Sequence, residues 1–219
     1  MKLRNLALRS RFCTIVTRVT VRSDEFPLDT DLMSVGQLER RRRLTTAVVE
    51  MLAEMPSDRI QMKEVSERSG VALGTLYRYF PTKQQLLAAA MTAWSGLESA
   101  RRPEEPRTGG EESNAYERVL ALHRREMKAF ERRPHFARLE IELHSSSDQF
   151  VIESLDQRAA AHRRMLFELM DGIPAETARV AAVAMGGTML TALALWTSGR
   201  IGFAEAQRNV EDVIGLVLR

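Results

Sequence analysis

One cysteine, Cys13, stands in 219 residues. A lone thiol closes no disulfide within a chain and builds no cysteine-based metal site, which fits a reducing cytoplasm. Histidine is nearly as scarce. His123, His135, His144 and His162 match neither His-Glu-x-x-His nor Glu-x-x-His, so no metal ion is expected. A glycine-rich phosphate loop and a Gly-x-Ser-x-Gly turn are both missing. An enzyme has no catalytic constellation to rest on here, and no cofactor is expected. Alternating strand patterns are almost absent too.

The sequence is rich in helical periodicity. Apolar residues make up 44% of the chain, enough for a substantial core. Leu44, Ala47, Val48, Met51, Leu52 and Met55 recur at three- and four-residue spacing and define one face of a helix, stopped at Pro56 and Ser57. Short helices are expected over residues 62–69 and 73–79, with Gly70 between them, and a longer one over 82–97 after Pro81. Residues 101–113 combine two prolines, a glycine pair and dense charge, and read as a linker. Helices follow over 114–132, 135–144, 148–170, 175–198 and 203–218. The expected fold is all-α: three small helices, then a larger helical bundle.

The net charge is only +3, but it is unevenly placed. Arg40, Arg41, Arg42 and Arg43 are consecutive, whereas Glu140, Glu142, Asp148, Glu153 and Asp156 fall in the second half. A polyanion-binding head on a separate body fits this distribution. Residues 1–23 are rich in Arg, Ser and Thr. They read as a basic arm, or as a stretch ahead of a start at Met33, in preference to a targeting segment. Residues 180–199 carry no charge and reach the roughly 20 residues of a membrane span. Their Ala, Gly, Thr and Ser content suits a buried core or interface helix better than lipid, so no membrane partner is expected.

Residues 40–83 form a unit with the helix-turn-helix plan, a glycine-containing turn setting two short helices at a steep angle. Val65 and Val71 are placed to pack inward, and the second short helix is free to enter a major groove. Gly74 permits close approach of a partner backbone. Thr75, Tyr77 and Arg78 are candidates for phosphate oxygens and base edges. Lys63 and Lys83 lie at helix starts, where free N–H groups also favour phosphate. Tyr77 and Tyr79 are expected to pack their rings inward and turn their hydroxyls to phosphate, and Arg43 to contact the backbone. Phe80 is expected in the core.

The run "QMKEVSERSGVALGTLYRYFPTKQQLL", residues 61–87, closely resembles the DNA-binding domain of TetR-family transcriptional regulators. The resemblance is carried by Gly70-Val71, Gly74-Thr75-Leu76-Tyr77, Tyr79-Phe80 and Lys83. Gln61 departs from it, standing where the family commonly has Thr or Ser as a helix cap. Together with "ERRRR" before the first helix and "LTALALWTSGR" near the end, the chain is similar to the KstR-type branch, repressors of sterol catabolism. The resemblance implies an N-terminal arm (1–36), a helix-turn-helix domain (37–83) and a ligand-binding and dimerisation domain (84–219). It implies a homodimer on a palindromic operator in double-stranded DNA, and a small effector in the bundle that is lipid-, sterol- or acyl-CoA-like.

Candidates for the effector pocket are Trp94, Phe130, Phe136, Leu139, Leu143, Met165, Met170 and Met189, the methionines suiting an adaptable cavity. Candidates for a dimer face are Val183, Gly187, Leu190, Phe203, Val210, Val213 and Val217 on the last two helices. The function expected is a ligand-responsive DNA-binding repressor in the cytoplasm, associated with the nucleoid. A transcriptional activator, or an architectural DNA-binding protein without an effector, stays open on the residues alone.

Overall fold

The computed structural model describes residues 32–100 and 114–219. The basic arm with Cys13 and the 101–113 linker lie outside the described residues. Those described form nine α-helices and one 3-10 turn, with no strand.

Helix α1 (Val35–Glu54) begins inside the stretch expected as an arm, because Ser34 and Gln37 form a reciprocal cap. The Gln37 Oε1 accepts from the Ser34 N–H at 2.7 Å, and the Ser34 Oγ accepts from the Gln37 N–H at 3.4 Å. After α1 the chain turns at Pro56 through a 3-10 turn (Ser57–Arg59) into α2 (Met62–Ser69). Gly70 ends α2 at φ +62°, the left-handed region that glycine tolerates best. Helix α3 (Leu73–Tyr79) follows, and α4 (Lys83–Ala100) starts after Pro81, with Thr82 Oγ1 accepting from the Gln85 N–H at 3.2 Å.

These four helices bury Leu44, Val48, Met51 and Leu52 of α1 against Val65, Val71, Leu76, Tyr79, Phe80 and the Leu86–Met91 face of α4. Phe136, Leu139 and Leu143 join the same apolar cluster. The head is therefore not an independent bead, since α4 and α6 seal it to the body.

The body contains α5 (Ala115–Arg132), α6 (Pro134–His144), α7 (Gln149–Leu169), α8 (Ala175–Thr197) and α9 (Phe203–Leu218). Asn114 and Glu117 cap α5 reciprocally, and Pro134 opens α6 at its first position. A second apolar cluster joins α5, α8 and α9 through Val119, Leu122, Met127, Ala181, Met185, Leu193, Val210 and Ile214. Helix α8 packs most extensively on α9. By length and composition α8 is apolar enough to cross a membrane, yet only 28% of its most apolar window is buried inside the chain. Much of this greasy helix faces outward.

Candidate nucleic-acid interface

Helix α3 is short, and its two faces differ sharply. Leu76 and Tyr79 have no exposed surface. Gly74, Tyr77 and Arg78 are exposed and Thr75 is half-buried. Positions 74, 77 and 78 are spaced by three and four, so they share one face. A Cβ on Gly74 would meet nothing within 4 Å, leaving the backbone open to approach. Tyr77 is 47% exposed, far above what a core aromatic shows. Arg78 lies with its guanidinium carbon 5.9 Å from the Tyr79 ring centroid. Lys63 stands exposed in the first turn of α2, with only a 3.8 Å surface pairing to Glu67, a contact of little energy. Gln61 makes no side-chain cap bond, as its residue type leads one to expect.

Three expected contacts are placed differently. Tyr79 is wholly buried, and its hydroxyl accepts from Arg40 Nε at 3.4 Å. It lies two residues from Tyr77, hence on the opposite face of the helix, where it closes the core. Arg43 turns its guanidinium back onto the head: Nε donates to the Ser69 carbonyl at 2.9 Å, and Nη2 donates to the same oxygen. Lys83 is half-buried and donates from Nζ to the Asp58 carbonyl at 3.1 Å, tying α4 to the 3-10 turn. The surface that remains in front of α3 is Lys63, Gly74, Thr75, Tyr77 and Arg78.

The join between head and body is polar as well as apolar, and local sequence reasoning missed it. Asp148 caps α7 through Oδ1, which accepts from the Phe150 N–H at 2.9 Å and the Val151 N–H at 3.3 Å. Its Oδ2 accepts from Gln85 Nε2 at 3.1 Å and Thr82 Oγ1 at 3.5 Å in the first turn of α4. Ser146 Oγ donates to Gln84 Oε1 at 2.8 Å, and Ser57 Oγ donates to Glu142 Oε2 at 2.5 Å. "SSSD" signals a cap in the sequence, but nothing in it says that the cap is shared with α4.

The eight pocket candidates do not line one space. Trp94 stacks on Phe136 at 4.4 Å between ring centroids and is tilted against Phe130 at 5.2 Å. Leu139 and Leu143 fill the same cluster. Met165, Met170 and Met189 belong to the other cluster. Phe136, Leu139, Leu143 and Met170 are at most 1% exposed. These four are packed core here. An open groove bordered by Asn114, Tyr116, Ile173 and Arg219 includes none of the eight.

Ionisable groups tie α7 to α5 and α6. His162 Nε2 lies 3.0 Å from Glu126 Oε1, and Arg158 Nη2 donates to Glu140 Oε2 at 2.7 Å. Burial works against the charge on His162, but the hydrogen bond and charge of Glu126 outweigh it and hold the imidazole above its ordinary value. Burial likewise pulls Glu126 upward, and the same pairing more than offsets it, so the carboxyl sits below the usual range. His123 is different. Burial dominates and pushes it down, with Nδ1 3.0 Å from the Val119 carbonyl.

Of the dimer-face candidates, Val183 is 63% exposed and a Cβ on Gly187 would meet nothing within 4 Å. Leu190, Phe203, Val213 and Val217 are half-buried. Val210 is 1% exposed and belongs to the core between α8 and α9, so it is not available to a partner. Val180 and Leu216, 50% and 84% exposed, extend the open apolar face beyond the expected set. Val180 stands three positions before Val183, a spacing that marks it in the sequence.

A glycine-turned helix pair in front of a helical body defines a helix-turn-helix DNA-binding protein. Residues 44–90 match the family described as bacterial regulatory proteins, tetR family. The chain is 28% identical over 189 residues to the HTH-type transcriptional repressor KstR of Rhodococcus jostii, covering 86% of this chain and 87% of that protein. To KstR of Mycobacterium tuberculosis it is 25% identical over 192 residues, with 87% and 86% covered. A crystal structure of a TetR transcriptional regulator from Rhodococcus superposes with a TM-score of 0.69 at 24% identity, covering 84% of this chain and 97% of that one. One from Streptomyces coelicolor gives 0.61 at 20% identity, covering 85% and 89%. Residues 44–90 thus carry a TetR-family DNA-binding domain, and the matches along the rest of the chain support a TetR-family regulator of KstR-like type. It is a DNA-binding regulator, not an enzyme.

Proposed function

We propose that the protein is a cytoplasmic repressor that reads a palindromic operator through α3 and leaves it when a small effector enters the body. The observation that carries this reading is the exposed face of α3, where Gly74, Tyr77 and Arg78 stand clear of the head that matches the family. Thr75 and Lys63 flank that face, with hydroxyl and ammonium donors suited to phosphate. Arg78 is the candidate for a bidentate contact to guanine. The KstR relatives are named repressors, and that supports repression here. The effector proposed is apolar or amphipathic, of lipid, sterol or acyl-CoA character.

Two copies pair through the outward face of α8 and the half-buried edge of α9. A two-fold pair places its recognition helices in half-sites about one helical turn, roughly 34 Å, apart. The effector prefers one spacing of the heads and the operator the other, which makes each weaken the other's binding. The shared cap at Asp148 and the side chains of Ser57, Gln84 and Ser146 are the route by which a change in α6 or α7 reaches α4.

The test is a salt-controlled titration against a duplex that the wild-type protein selects from a random pool. Tyr77→Ala is expected to lower affinity about tenfold, with the protein still folded and paired. Arg78→Ala is expected to relax preference at one base position by about 1–3 kcal/mol. Unchanged binding by both variants would sink the assignment of α3 as the reading helix. Native mass spectrometry on the same preparation reports the pair and any small molecule it carries.

A further inference from the structure

The four consecutive arginines look in sequence like a phosphate-binding run, but their side chains are distributed otherwise. We infer that Arg43, with Arg40 and Arg41, is a positioning residue for α3, holding the entry and exit of the recognition helix from behind. The inference rests on α3 being that helix.

At the entry, α2 ends on Ser69, where helix carbonyls lack intrahelical partners and a positive charge is favourable. Arg43 sends both Nε and Nη2 to the Ser69 carbonyl. The turn beside it is already tied by serines: Ser66 Oγ donates to the Val71 carbonyl at 2.7 Å, and Ser69 Oγ accepts from the Val71 N–H at 3.3 Å. Gly70 lies directly under the guanidinium. A Cβ there would approach Arg43 Nη2 to 2.6 Å, so glycine is needed for this contact as well as for its φ of +62°. The angle between α2 and α3 is set at this point.

At the exit, Arg41 places its guanidinium 5.1 Å from the centre of the Phe80 ring, and its Nε is buried with no hydrogen-bond partner among the described residues. Arg40 donates to the Tyr79 hydroxyl. Tyr79 is the last residue of α3 and Phe80 its C-cap. Arg42 alone points away; it is 67% exposed and among the described residues pairs only with Glu39, one helical turn back. Three members of the run thus grip the recognition helix, and one faces solvent.

The two roles predict different salt behaviour. A phosphate contact adds about 0.9 to the log–log salt slope, whereas a positioning group changes affinity and leaves the slope alone. Lysine keeps the charge of Arg43 but not its planar fork. Titration of Arg43→Lys on the selected duplex, at several salt concentrations, is expected to show about tenfold weaker binding with an unchanged slope. Gly70→Ala should do the same without altering any charge, and Arg78→Ala, at the exposed face of α3, is the comparison in which the slope itself should fall. Lysine is benign at an exposed helical position, so Arg43→Lys decides the matter even if Gly70→Ala fails to fold. Wild-type affinity in Arg43→Lys, or a loss of about one slope unit in Arg43→Ala, overturns the inference. Tyr77→Ala in parallel keeps the two readings apart: its normal binding would count against α3, not against Arg43.

Discussion

Two histidines on neighbouring helices of the body answer pH in opposite senses. His162 is held above its ordinary 6.5 by Glu126, so its contribution to stability is fully present below 6.5 and is lost as pH rises through the raised folded value. His123 is pushed below 6.5 by burial. The unfolded chain then binds the extra proton, and stability is lost as pH falls from 6.5 toward the depressed folded value. Glu126, lowered from 4.5, contributes above that pH and fails only in stronger acid. Thermal melts from about pH 5 to 8 should therefore peak near the ordinary histidine value. His162→Gln is expected to flatten the alkaline side and His123→Gln the acid side; identical profiles in all three proteins would refute the pairing. Nothing in the sequence marks these residues as partners, because they are brought together by α5 and α7 from 39 positions apart. The fate of Tyr79 was legible by contrast. Two residues along a helix reverse the face, so Tyr77 and Tyr79 were never able to share one surface.

At the scale of elements, helix limits follow signals that are local and therefore readable: Pro56, Gly70, Pro81, Pro134 and Gly199 each mark a stop or a start. Even the early beginning of α1 is written in the spacing of Ser34 and Gln37. What stayed hidden are the contacts that join elements, such as the Arg43 fork on Ser69 and the Asp148 bridge to Gln85. These depend on how helices cross, which no local pattern records. The bridge has a measurable signature. Asp148→Ala should cost about 1 kcal/mol as a lost N-cap and raise amide exchange in the first turns of both α7 and α4. Asp148→Asn preserves a good cap but replaces the shared carboxylate, so exchange should rise mainly in α4. If α4 is undisturbed in both variants, the cap is local and does not link head to body.

Across the whole molecule, the apolar cluster under the head runs without a break into α4, α6 and the start of α7. The head is thus packed continuously onto α4 and α6, and in the proposed pair a change in head spacing involves reorienting α4. The aromatic candidates for an effector site, Trp94, Phe130 and Phe136, pack on one another, and spacing alone does not distinguish such a packed stack from the wall of a cavity. The outward side of α8 gives the last test. Val183→Glu would place a charge in the middle of the proposed pairing face and is expected to yield monomers in native mass spectrometry, with the subunit core intact because Val183 is 63% exposed. A mass distribution matching wild type would remove α8 from the interface. The proposed separation of a reading surface on α3 from a pairing surface on α8 also has a genetic meaning. An allele altered only in α3 would produce subunits that still find partners, so mixed pairs would carry one defective head, and the mutation would act dominantly over a normal copy of the gene.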